Sequence, residues 1–301
     1  MNSWFSFMQC GVSKEYLFDM INQVNNNDSE VTENNVLKFI QSTAFNPNDI
    51  NDCGETILMV ACQHKLSEVA LEILNNYDPM TNAIDSAGRT ALIFACDSKM
   101  ESVALKIILT ENSNPSAVSK ISESTALIYA CQDIKMKSVA LNIILTENSN
   151  PSAVSKINKC TALIYACYTQ NECVALAIIK TRESNPKHVN KDGYTALLIA
   201  CSNKLESVAL ALIQSGDSNP SYVNILHLGE TALMVACFNK MESVAIALLD
   251  TSFANPEHNN HQALVFASKN KMTIVYEKLV KIKSHGYESY FIEEKNDLVA
   301  L

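Results

Sequence analysis

Hydrophobic positions along most of the chain fall into two alternating blocks. In the first, a threonine opens six apolar or small residues, as in Thr125-Ala126-Leu127-Ile128-Tyr129-Ala130-Cys131, and the run ends at a polar turn such as Ser98-Lys99 or Asn203-Lys204. In the second, apolar residues recur at i, i+3, i+4, i+7 and i+8, as in Met100, Val103, Ala104, Ile107 and Ile108, with Glu101, Ser102 and Lys106 turned the other way. The first block predicts a short buried helix whose threonine hydroxyl caps the free amides of its first turn. The second predicts a longer amphipathic helix.

These blocks repeat. The leading threonines are Thr56, Thr90, Thr125, Thr161, Thr195 and Thr231, at steps of 34, 35, 36, 34 and 36 residues, with a degenerate seventh copy at Gln262-Ala263-Leu264. A period of this size predicts a stack of small units rather than one closed core. The stretch 108–121 recurs identically at 144–157, so at least one unit is a recent duplication.

Pro47, Pro79, Pro115, Pro151, Pro186, Pro220 and Pro256 each follow Asn or Asp after the second helix, or after its equivalent before the first repeat, and a helix cannot run through that pair. Gly54, Gly88, Gly193 and Gly229 stand two places before their threonines, which suits a turn needing positive φ; Glu123 and Lys159 replace them in the duplicated units. The unit is therefore helix, turn, helix, hairpin-like loop. Residues 13–41 carry two further helical patterns, read as a capping pair whose outer face differs because it has only one neighbour. The expected organisation is a helical cap at 1–46, about seven repeats over 47–286 with the last atypical, and a tail at 287–301.

Composition narrows the function classes. Hydrophobic residues make up 48% of the 301, enough for a folded array, and 32 acidic against 23 basic residues give a net charge of -9. That balance disfavours sequence-independent binding to nucleic acid or anionic lipid. No apolar run reaches the eighteen or so residues that span a bilayer. The first ten residues are apolar but lack a basic leader region, and Asn2 stands where myristoylation requires glycine, so the aromatics there are expected to cover the end of the array. Six of the ten cysteines, Cys62, Cys96, Cys131, Cys167, Cys201 and Cys237, occupy one repeat position. Stacked helices about 8–10 Å apart hold such positions beyond disulfide reach, so they read as small buried apolar groups in a reducing, intracellular and cytoplasmic setting.

Lys191-Asp192-Gly193-Tyr194-Thr195-Ala196-Leu197-Leu198-Ile199-Ala200 resembles the ankyrin repeat signature Gly-x-Thr-Pro-Leu-His-x-Ala, and the likeness extends over roughly residues 47–280. The family's Pro is here Ala or Ile, its His is Ile, Leu, Met or Val, and its inter-helix Gly is often Lys, as at Lys99, Lys204 and Lys240. The style of repeat is also similar to multigene ankyrin families of large DNA viruses. The resemblance implies an all-α ankyrin-repeat solenoid of stacked helix-turn-helix units with short hairpin-like loops. It further implies a non-enzymatic scaffold that binds another protein on a concave face of hairpin tips and first helices.

Function then resides where repeats differ. One place before the threonine stand Glu55, Arg89, Ser124, Cys160, Tyr194, Glu230 and His261; seven places after it stand Gln63, Asp97, Gln132, Tyr168, Ser202, Phe238 and Lys269. Four places after it, Phe94, Tyr129 and Tyr165 form an aromatic ladder, which serves either a partner or the packing between neighbouring helices. The expected partner surface is Arg89, Phe94, Tyr129, Tyr165, Tyr168, Tyr194, Glu230 and Phe238. A substrate-recruiting adaptor, for instance of a ubiquitin ligase, is a related reading, although 1–46 and 281–301 hold no recognisable adaptor box. The Val299-Ala300-Leu301 ending could suit a carboxylate-binding groove, but a frayed or packed cap is the simpler expectation. Another class is a thiol or metal enzyme around Cys160 and Cys173, and it lacks a basic or histidine partner placed by the repeat. No phosphate loop, zinc-type Cys pair or His-x-x-x-His motif appears, so no cofactor, metal or small-molecule substrate is expected.

Overall fold

The computed structural model describes residues 14–24, 30–181, 183–251 and 253–285. The aromatic amino terminus and the carboxyl-terminal tail lie outside the described residues. The chain divides into two compact units, residues 1–156 and 157–301.

In the first unit the helices pair as α1 (Lys14–Gln23) with α2 (Glu33–Ser42), α3 (Ile57–Gln63) with α4 (Ser67–Asn76), α5 (Ala91–Asp97) with α6 (Glu101–Ile108), and α7 (Ala126–Cys131) with α8 (Lys137–Ile144). The first helices stack on one another in the order α1, α3, α5, α7 and the second in the order α2, α4, α6, α8, so two layers enclose the core. In the second unit α9 (Ala162–Tyr168), α11 (Ala196–Ser202), α13 (Ala232–Phe238) and α15 (His258–Lys269) form one layer. The other layer is α10 (Glu172–Ile179), α12 (Glu206–Gln214), α14 (Glu242–Leu249) and α16 (Thr273–His285). A two-residue antiparallel ladder, β1 (Val223–Asn224) on β2 (Glu230–Thr231), closes one hairpin.

Local chemistry fixes the start of the first helix in six repeats. The hydroxyls of Thr56, Thr90, Thr125, Thr161, Thr195 and Thr231 all accept the amide three residues on, at 3.2–3.3 Å. The seventh copy lacks that threonine, and α15 instead begins a turn earlier, at His258, with no side-chain cap. The six repeat cysteines are buried with their apolar neighbours, and they are thiols rather than disulfides.

The turn between paired helices shows how lysine replaces glycine. Lys65, Lys99, Gln170, Lys204, Lys240 and Lys271 adopt φ of 55–61°, the left-handed region. The following amides close back on the preceding helix, for example Leu66 N on Ala61 O and Met100 N on Ala95 O, both at 2.9 Å, a Schellman arrangement. The residue after the turn plugs the core: Leu66, Met100, Met136, Leu205, Met241 and Met272 are all buried. In the fourth repeat that plug is Asn171.

Candidate partner-binding surface

Three of the hairpins before a first helix are built on one polar side chain, buried at Asp85 and Asn190 and half-buried at Asn51. Asn51 Oδ1 accepts the amides of Cys53 and Glu55, Asp85 Oδ1 that of Arg89, and Asn190 Oδ1 those of Asp192 and Tyr194, at 2.7–3.1 Å. Such Asx turns hold the glycine two places before the threonine at φ of 70–77°. In the duplicated repeats Glu123 and Lys159 occupy that place at φ 53° and 55°. Consecutive hairpins bond through their backbones, Ser86 N to Cys53 O, Lys120 N to Ala87 O and Lys156 N to Ser122 O in the first unit, and Lys191 N to Asn158 O in the second.

On this frame the candidate residues separate into three kinds. Arg89 is held inside the first unit: its Nε donates to Asp85 Oδ2 at 2.7 Å, its Nη2 meets Glu55 Oε1 at 3.2 Å, and its guanidinium lies 4.2 Å from the centre of the Phe94 ring. Phe94 is only 4% exposed beneath it. The pair thus spends its polar and aromatic faces on the hairpin, and what it offers outward is the edge of the guanidinium.

Tyr129 and Tyr165 are half-buried, and each hydroxyl reaches back seven residues to its own hairpin: Tyr129 to Ser122 Oγ at 3.0 Å, and Tyr165 to Asn158 Nδ2, which donates. The aromatic ladder therefore latches hairpin to helix within a repeat, with the outer ring edge left at the surface. Both latches occur in the repeats whose hairpins lack glycine.

Positions seven after the threonine are different, because all seven are exposed. Tyr168 is 40% exposed, its hydroxyl accepting from Asn190 Nδ2 at 3.0 Å, and Phe238 is 61% exposed. Tyr194 is half-buried with its ring 5.0 Å from that of His227, and Glu230 is half-buried at the same position one repeat later. Burial and the nearby carboxylates of Glu230 and Asp192 raise the Tyr194 pKa, so its hydroxyl stays protonated at neutral pH.

A groove of about 680 Å³ opens beside Phe238 in the second unit. Met234, Val235, Phe238 and Phe266 form its floor, the two phenylalanines edge to face with centroids 5.3 Å apart. Leu228, 90% exposed, stands at its mouth, and Ile225 and Leu226 of the same hairpin are 82% and 63% exposed. Sequence reasoning passed over these three and Phe266. The signal was present in Ile225-Leu226-His227-Leu228, an apolar tip where the other hairpins carry mostly polar residues.

The buried cysteines offer poor nucleophiles, whereas Cys173 is exposed. Cys160 is buried against Asn190, and burial raises its thiol pKa, with a smaller lowering from the Asn190 hydrogen bond. Burial likewise pushes Cys167, Cys201 and Cys237 up to about 12. Among the described residues no group of three His, Cys, Asp or Glu side chains could hold a metal ion, and no helix is long and apolar enough to cross a membrane.

The family model described as ankyrin repeats in three copies matches residues 24–119 and 127–222, together more than half of the chain. Among solved structures, an ankyrin repeat protein from Leishmania major is 15% identical with a TM-score of 0.50, over 89% of this chain and 97% of that one. The ankyrin repeat domain of Bcl-3, of the IkappaB protein family, is 21% identical with a TM-score of 0.48, over 77% and 96%. A chain of the complex between the predatory endopeptidase Bd0816 of Bdellovibrio bacteriovorus and the immunity protein Bd3460 is 22% identical with a TM-score of 0.47, over 67% and 99%. At these identities the likeness is one of fold. No curated protein matches the chain.

Proposed function

The chain belongs to the ankyrin-repeat family, and from that premise we propose that it is a non-enzymatic scaffold that binds a partner protein across its hairpins and first helices. The carrying observation is the position seven after each threonine. It is exposed in every repeat, yet it holds Tyr168 and Phe238, aromatic groups of the kind that dominate protein interfaces. Within the second unit Tyr194, Glu230 and the outer edge of Tyr165 extend this surface; within the first unit Tyr129 presents the same outer edge, and Arg89 with Phe94 stiffens a hairpin. Because hairpins within each unit are tied to one another and six of the first helices are capped by threonine, the surface is ordered before a partner arrives, which keeps the entropic cost of association low.

The test is affinity capture from a lysate with the intact chain and with a Tyr168→Ser, Phe238→Ser double variant whose helical content is checked by circular dichroism. Both side chains are exposed, so the variant is expected to keep its fold and lose its partner. Retention of every partner by a folded variant refutes this surface.

A further inference from the structure

The groove beside Phe238 has a one-sided chemistry. Its floor is apolar, and on its walls Ser202, Asn239 and Asn259 already donate within the chain, while Gln262 adds a neutral amide that can donate or accept. Ser202 Oγ donates to Leu198 O at 2.9 Å, Asn239 Nδ2 to Cys201 O at 2.9 Å and Ser202 O at 3.4 Å, and Asn259 Nδ2 to Leu228 O at 3.4 Å. Oxygen lone pairs on these three side chains remain open to a ligand. The Glu230 carboxylate on the same wall makes no ion pair among the described residues, and no lysine or arginine lines the groove. A ligand that buried only apolar surface would leave this carboxylate desolvated without a partner, which is costly. A ligand bearing an anion would be repelled.

From this we propose that the groove takes a segment of the partner protein in which a large apolar side chain is flanked by arginine or lysine. The apolar group covers the exposed face of Phe238 between Met234 and Phe266, and the cation, a donor with no acceptor of its own, meets Glu230 and the amide oxygens of the rim. The volume of 680 Å³ falls within the range of sites that hold one compact ligand, about 300–1,000 Å³, and accommodates a few side chains rather than a domain. The net charge of -9 favours approach of a basic segment. The proposal rests on the protein-binding reading and specifies the chemistry of its recognition element.

The test uses the full chain and three labelled nine-residue peptides read by fluorescence anisotropy: a central Phe flanked by Arg, the same Phe flanked by Glu, and an Arg-flanked peptide with central Ala. The wild type is expected to prefer the first over each of the others by about fivefold or more, the scale of a partly exposed ion pair and of one side chain's apolar contact. Glu230→Lys should invert the order of the Arg and Glu peptides, and Phe238→Ser should erase the difference between Phe and Ala. If Glu230→Lys loses helical signal, Glu230→Gln, nearly the same shape without charge, must abolish the charge preference. Equal binding of the Arg and Glu peptides by the wild type, or an order unchanged by Glu230 substitution, overturns the proposal. A lysate partner that is lost on Phe238→Ser in the absence of any peptide preference leaves the protein-binding reading standing and refutes the groove chemistry. Partners unaffected by that substitution, together with no peptide preference, refute both.

Discussion

Asn171 is the sharpest place to test the account of the fold. It follows the left-handed Gln170 and plugs the core where the other repeats place Leu or Met. It is 3% exposed, and its side-chain Nδ2 has no hydrogen-bond partner. An unmade bond on a buried amide costs about 1–3 kcal/mol, and burying a leucine side chain in its place gains a further ~1.5–3 kcal/mol. Against this stands the extra volume of leucine, which in a packed core costs about 1–3 kcal/mol. The backbone adds nothing to the account, since Asn171 has φ -86° and ψ 75° while Leu205, at the same position one repeat on, has -83° and 77°. Asn171→Leu is therefore expected to stabilise by about 1–3 kcal/mol, raising the thermal midpoint by roughly 2–4 °C per kcal/mol for a chain of this size. Chemical denaturation followed by circular dichroism measures it, with two companions. Asn171→Ala, which removes the orphan amide without filling its place, should be close to neutral, and Asn171→Asp, which puts a carboxylate there, should destabilise clearly. If the leucine and alanine variants both fall below wild type by more than about 1 kcal/mol, the amide has a partner that matters and the reasoning is wrong.

The same logic gives further expectations. Glu123→Gly and Lys159→Gly relieve left-handed residues at φ 53° and 55°, and each should raise stability by about 0.5–1 kcal/mol in urea titrations, the left-handed cost less the greater unfolded freedom of glycine. Gly193→Ala should do the reverse, because at φ 77° its Cβ would run into Asn224 Oδ1; a loss of about 2 kcal/mol in the same titration is expected. Cys167, Cys201 and Cys237 remain thiols in the folded chain up to about pH 12 but ionise near pH 9 once unfolded. Their folded pKa is raised, so this contribution is whole below pH 9 and is lost between pH 9 and 12, by about 1.4 kcal/mol per pH unit for each thiol. A denaturation midpoint that stays level across that window would contradict their burial. In a thiol-labelling time course Cys53 and Cys173, both exposed, should react at once, whereas Cys62, Cys96 and Cys131 should wait for unfolding.

What the sequence made legible was whatever is decided within one repeat. The threonine caps, the positive-φ position before them and the buried cysteine row each depend on neighbours a few residues away, and each recurs often enough to separate signal from accident. The partner of Arg89 outside its own hairpin was not legible, because Glu55 lies 34 residues earlier, in the preceding hairpin, and nothing in the local pattern pairs them. Nor was the lysine in the inter-helix turn readable as left-handed: the pattern shows only that glycine is replaced there, whereas the Schellman bonds and the buried plug hold the turn at the expense of local strain. The apolar tip Ile225-Leu226-His227-Leu228 was readable, because it lies within one hairpin of the sequence.

The register of the aromatic residue within the first helix separates its two uses. Four places after the threonine a side chain lies over its own hairpin, so Tyr129 and Tyr165 spend their hydroxyls on Ser122 and Asn158, and Phe94 spends its face on Arg89. Seven places after, one turn further along the same helix, the hairpin no longer covers the side chain, and Phe238 stays open to solvent. Tyr168 stands between these cases, because the next hairpin reaches its hydroxyl through Asn190 while the ring remains exposed. At Val235 position four is aliphatic and makes no latch, and Val235 lines the groove beside Phe238 together with Phe266, which holds position four of the atypical seventh copy. In the threonine-led repeats an aromatic residue at position four thus reports on how a hairpin is held, and Phe238, at position seven over an aliphatic residue, marks where a partner is to be sought.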